Sequence, residues 1–122
     1  MIKPYEPPSG IRNGHPYNFD GDTKLLSDLP ENEQKMVLDW VSLYLRPSRN
    51  GEHHNAYGLK HLMHSCNNLY ISENQMKDAL MMFGFEPMNP LEPTWWYRIK
   101  VKKRVRPNEV LPLPTIERRS IL

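Results

Sequence analysis

The run Trp96-Tyr97-Arg98-Ile99-Lys100-Val101-Lys102-Lys103-Arg104-Val105-Arg106 sets a cation at every second position from Arg98 onward. Alternate residues of a β-strand face opposite ways. Tyr97, Ile99, Val101 and Val105 therefore share one side, and Trp96, Arg98, Lys100, Lys102, Arg104 and Arg106 share the other. Along such a strand the cations recur about every 6.6–6.8 Å. That interval resembles the separation of successive phosphates on one nucleic-acid strand, and Trp96 adds a surface for stacking. An acidic protein surface fits the same pattern, and so does an edge strand kept from aggregating by its charge. Residues 98–106 carry +6 and no acid against a net of +2 for the chain, so the remainder carries −4. A mildly acidic body with one basic strip follows.

Other residues offer weaker chemistry. Asn74, Gln75 and Lys77, with Glu73, Asp78 and Met81, lie on the expected outward face of a third helix. Asn and Gln can pair bidentately with adenine. Glu73 and Asp78 repel phosphate, however, so a solvated face or a protein contact competes with base reading. Lys60 stands beside His61 and His64, where it can aid the binding of a polyanion. Those two histidines are three residues apart on a helix and can share a metal. Cys66 lies two residues beyond His64, about 200° around the helix, and cannot join them, so no metal site is expected. The chain has no glycine-rich phosphate loop, no His-Glu-x-x-His and no Ser or Cys with an evident base partner. Neither catalytic residues nor a cofactor is expected, and the chain reads as a non-enzymatic binding protein.

The elements that position these residues fit one domain of 122 residues. Of 12 prolines, four lie in 1–16 and three in 107–114, which marks a proline-rich arm over 1–27, a patterned domain over 28–106 and a proline-rich tail over 107–122. The single Cys66 excludes an internal disulfide and suits a reducing compartment. No apolar run approaches the ~18 residues of a membrane span, and the start of the sequence has no apolar stretch suited to a secretory signal. The expected location is cytoplasmic.

Within the domain, Met36, Val37, Trp40, Val41, Tyr44 and Leu45 form the apolar stripe of a helix over 31–45, with Asp28 and Pro30 as start signals and Pro47 beyond its end. A polar connection, 48–52, leads to a second helix capped by Asn55, with Ala56, Leu59, Leu62, Met63 and Cys66 on its inner face and Asn67-Asn68 as a left-handed stop. Leu69, Tyr70 and Ile71 anchor the turn. Ser72 and Gln75 form a capping-box pattern opening the third helix, whose core face is Met76, Ala79, Leu80 and Phe83, with Gly84 at its exit. A segment rich in proline then leads to a strand from Trp95 to Val105. The expected fold is mainly α with a β-hairpin: a winged-helix-like core of three helices with 85–105 as the wing, flanked by extended tails.

Tyr57-Gly58-Leu59-Lys60-His61, Tyr70-Ile71-Ser72 with Asn74 and Met76-Lys77, Gly84-Phe85-Glu86-Pro87, and Trp96-Tyr97-Arg98-Ile99 together resemble small proteins carried by bacteriophages and mobile elements of Gram-positive bacteria. The likeness covers about 57–99. It implies a phage or mobile-element origin and carries no catalytic or binding residue across.

The expected function is that of a phage-type accessory protein engaging nucleic acid or a nucleoprotein through its basic strand. The alternative is a protein-binding inhibitor of a host defence protein, or a virion or assembly component docking through its tails, which would place it on the virion. If the histidine cluster holds no metal, a chelator leaves the melting temperature unchanged. Stoichiometric zinc in protein purified without a histidine tag, with stability lost on stripping, would refute this.

Overall fold

The computed structural model describes residues 25–92, 94–103 and 111–113, together with the backbone of 11–12 and 15–16. Arg104, Arg106 and most of both proline-rich tails lie outside the described residues. The described residues are mainly helical, with three α-helices and small two-stranded antiparallel ladders. None of the helices among the described residues is long and apolar enough to cross a membrane.

Strands β1 (Ile11–Arg12) and β2 (His15–Pro16) pair with each other. A 3-10 turn over Leu26–Asp28 precedes α1 (Glu31–Tyr44), which Pro30 opens and the acidic Glu31 and Glu33 support in its first turn. Asp28 serves the preceding turn, accepting the Leu25 amide at 2.8 Å, and is not the cap of α1. From α1 the chain runs into β3 (Leu45–Pro47), an excursion over 48–53, and β4 (His54–Asn55). Helix α2 (Ala56–Asn67) then starts under the Asn55 cap, whose Oδ1 accepts the Gly58 amide at 2.7 Å. It stops at Asn68, which takes the left-handed conformation (φ 61°) the sequence predicts. Helix α3 (Glu73–Met82) carries the expected capping box: Ser72 Oγ accepts the Gln75 amide and Gln75 Oε1 accepts the Ser72 amide.

The final strand differs from expectation in length and in partner. It breaks into β5 (Trp96–Tyr97) and β6 (Ile99–Val101), and the pairing follows the connection between α1 and α2. Leu45, Arg46 and Pro47 face Val101, Lys100 and Ile99, while His54 and Asn55 face Tyr97 and Trp96. Six residues, 48–53, therefore loop out opposite Arg98, whose carbonyl accepts the Ser48 amide at 3.1 Å. Among the described residues the hairpin expected within 85–105 is tied by a backbone bond from Met88 N to Trp96 O at 2.7 Å. Between these two residues the Trp95 indole donates to Pro90 O at 3.2 Å and pins the loop.

The core gathers Val37, Leu38, Trp40, Val41 and Leu45 with Leu59 and Met63 from α2, Ile71, Met76 and Leu80 around α3, and Trp95, Tyr97 and Ile99 from the last strand. Leu62 and Cys66, placed by the sequence on the inner face of α2, are exposed instead, and so is Tyr70. Leu26, assigned to the arm, is 1% exposed within this core. Its amide donates to Asp78 Oδ2 at 2.9 Å and the neighbouring Leu25 carbonyl accepts from Gln75 Nε2 at 3.0 Å. The folded unit thus reaches back at least to Leu25. At the other end Leu111 meets α1 through two bonds to Ser42, one from its own amide at 3.1 Å and one from the serine hydroxyl to its carbonyl.

Full burial of a leucine contributes roughly 1.5–3 kcal/mol, and truncation adds a cavity term. Leu26→Ala should cost about 2–5 kcal/mol by denaturant unfolding, whereas exposed Ser27→Ala should stay within about 0.5 kcal/mol. Equal, small effects at both positions would show that 25–28 is an accessory and not part of the core.

Candidate nucleic-acid interface

The period-two reading of the basic strand holds through Val101. Tyr97 and Ile99 are buried, while Trp96, Arg98 and Lys100 are exposed. Arg98 sits at the break between β5 and β6, yet its side stays outward because the backbone continues extended past it. Lys102 is half-buried; its amide donates to Tyr44 O at 2.7 Å, extending the ladder by one bond. Lys103 is exposed. Of the six outward residues of the sequence pattern, four therefore fall among the described residues, three of them well exposed.

Neighbours from the 48–53 excursion join this face. The His53 ring meets Trp96 edge-on, with centroids 5.3 Å apart, leaving the indole 39% exposed. Arg49 is exposed on the same excursion. Glu52 is the acid at the border. Its Oε2 lies 2.9 Å from His54 Nε2 and accepts the Val101 amide at 3.1 Å. The bond from His54 and that from the Val101 amide outweigh partial desolvation, and with the charges of His54 and Lys100 they hold this carboxyl below its ordinary value. Glu52 is thus spent on bracing the excursion against β6. The sequence does not place any of these residues beside the basic strand, since 48–53 is far from it along the chain.

The other predicted contacts lie elsewhere and are mostly covered. Asn74, Gln75, Lys77 and Asp78 were expected to face outward, but all are buried, and Lys77 and Asp78 are 0% exposed. For Gln75 and Asp78 the cause is the segment 25–28, which packs on this side of α3. Gln75 is occupied by the capping box and by Leu25 O, and Asp78 by the Leu26 amide. Lys77 Nζ lies 4.7 Å from the Trp95 ring centroid and 3.6 Å from Glu73 Oε2, a cation folded inward and paired. These residues cannot touch a nucleic acid while the core is intact.

Lys60 is likewise 5% exposed, against the expectation of a free surface cation. Its ammonium lies 4.0 Å from the Tyr70 ring centroid and 5.6 Å from that of Tyr57. His61 packs edge-on against Tyr57 at 4.4 Å, and His64 against Tyr70 at 5.8 Å. Among the described residues no group of three or more His, Cys, Asp or Glu side chains is placed to hold a metal. No family model, curated protein or solved structure matches the chain.

The lowered Glu52 pKa has a definite sign. A carboxyl depressed in the fold contributes stability above its unfolded value of 4.5 and loses it as pH falls through the folded value. Glu52→Gln should therefore melt below wild type near neutral pH, and the two curves should converge as pH drops below 4.5. Thermal melts from about pH 7 to about pH 3 check this; a gap that is constant across the series would mean the carboxylate charge plays no part.

Proposed function

We propose that this chain is a small, non-enzymatic accessory protein of the phage type that grips a nucleic-acid backbone through the outer face of β5 and β6. The observation that carries the reading is the alternation at the last strand: Tyr97 and Ile99 are sealed in the core while Trp96, Arg98 and Lys100 stand in solvent. Cations placed on a rigid ladder approach phosphates without first being ordered, so less entropy is lost on binding. Lys103, just beyond β6, and Arg49, on the excursion opposite Arg98, are further exposed cations.

The order of elements supports a winged-helix-like architecture. Short strands β3 and β4 lie between the first two helices, the third helix follows, and β5 and β6 return to pair with β4 and β3. In helix-turn-helix proteins the recognition helix enters the major groove. Here the residues of α3 that would read bases are held by the protein's own core, so the wing strand is the better surface. Binding through phosphates positions a protein without selecting sequence, and an accessory or nucleoprotein role suits that behaviour.

A second reading has one observation in its favour: on the loop before β5 both Met88, bonded to Trp96, and Leu91 are exposed. An acidic protein with an apolar pocket, such as a host defence protein held inhibited or a virion subunit, would use them together with the cations.

Gel-shift titrations over several salt concentrations separate the two. Replacing Arg98, Lys100 and Lys103 together with Gln should leave unfolding almost unchanged, since all three are exposed. Each lost phosphate contact should lower the slope of log affinity against log salt by about 0.9 on duplex DNA or about 0.7 on a single strand. Absence of binding to any nucleic acid at low salt would refute the reading and leave the protein partner in its place.

A further inference from the structure

We infer that the nucleic acid is single-stranded and that its path continues from the basic strand onto α2, where bases stack on Tyr57 and Tyr70. The inference rests on the backbone-binding role proposed above and adds the class of ligand. Its first support is the distribution of acids. The chain has 14, yet none falls between His53 and Ser72 and none between Thr94 and Asn108. The fold sets these two stretches against each other, because His54 and Asn55 pair with Tyr97 and Trp96 and α2 begins at the next residue. These two stretches thus contribute no carboxylate of their own along the line from Arg98 and Lys100, past the Trp96–His53 pair, to the start of α2. Glu52, at the border of the first stretch, is bound by His54 and the Val101 amide.

The second support is what α2 and the turn after it display. Tyr57 is 55% and Tyr70 66% exposed, unusual for rings flanking a core lysine. Tyr57, His61 and His64 follow the i, i+4, i+7 spacing of one helix face. Lys60 lies between the two tyrosines and orients both rings through its ammonium, while His61 and His64 brace their edges. The rings are thus fixed by cationic or ionisable neighbours on a stretch, 53–72, that carries no carboxylate of its own. A duplex hides its base faces and has little use for such rings. An unpaired base offers a π-face to each, and stacking of this kind is sequence-tolerant.

Fluorescence anisotropy on the full chain tests this, using a thymidine 12-mer (about that length suits one small domain), its uridine counterpart, an abasic deoxyribose-phosphate polymer of equal length, and a duplex. Base-bearing single strands should bind more tightly than the abasic polymer or the duplex, and the thymidine and uridine arms distinguish DNA from RNA as the source. Tyr57→Ala and Tyr70→Ala should each weaken single-strand binding by roughly 5- to 100-fold, with abasic affinity unchanged. Phenylalanine at either position should restore it, which a mere loss of folding would not allow. Equal affinity for the abasic polymer, preference for duplex, or alanine variants that bind like wild type would overturn the inference. In those three cases binding that still depends on Arg98 and Lys100 leaves the basic-strand role standing. No binding to any of the four ligands would defeat both.

Discussion

Pairing between the last strand and the connection from α1 to α2 fixes the direction of every side chain from Trp96 to Val101. With a side-chain period of two, a slip of one residue would drive Arg98 and Lys100 into the core and push Tyr97 and Ile99 into water. Two short ladders would be weak protection against such a slip. They are reinforced by the Ser48 amide on Arg98 O, the Lys102 amide on Tyr44 O and the Glu52 carboxylate on the Val101 amide. The packed core and the positive surface are therefore two faces of one register. Neither can be altered by sliding without losing the other.

Helix α3 shows what happens when a short chain lacks enough apolar surface. From Asn74 to Leu80 seven consecutive residues are buried, four of them polar or charged. Each of Gln75, Lys77 and Asp78 has a partner that compensates its desolvation: a backbone carbonyl, a carboxylate with an aromatic face, and a backbone amide. These bonds also specify where 25–28 must lie, since a purely apolar patch would accept the segment in several positions. The polar interior of α3 thus selects one arrangement of the chain ahead of the first long helix.

Much of this was legible in the residues. Asn55, Asn68, Ser72 and Gln75 act as the cap signals they resemble, because capping is decided within a few residues and needs no tertiary information. The strand alternation was legible for the same reason. The partner of that strand was not, since antiparallel pairing over some fifty positions leaves no local trace. The exposure of α3 was misread because helical periodicity marks an apolar stripe but says nothing of a polar face covered by another segment, as Gln75 and Asp78 are by Leu25 and Leu26. The exposed tyrosines escaped notice because aromatic residues beside an apolar stripe read as core. The missing acids between His53 and Ser72 were the available signal.

The excursion over 48–53 hangs between two ladders and carries none of the core residues. Its length is therefore only loosely constrained, because the entropy of closing a loop grows slowly as residues are added. Residues inserted there would emerge next to Arg98 without disturbing Leu45 or Tyr97. The fold thus sets its length-tolerant segment beside its positive face and apart from its core, so what borders that face can be exchanged one loop at a time on the same scaffold.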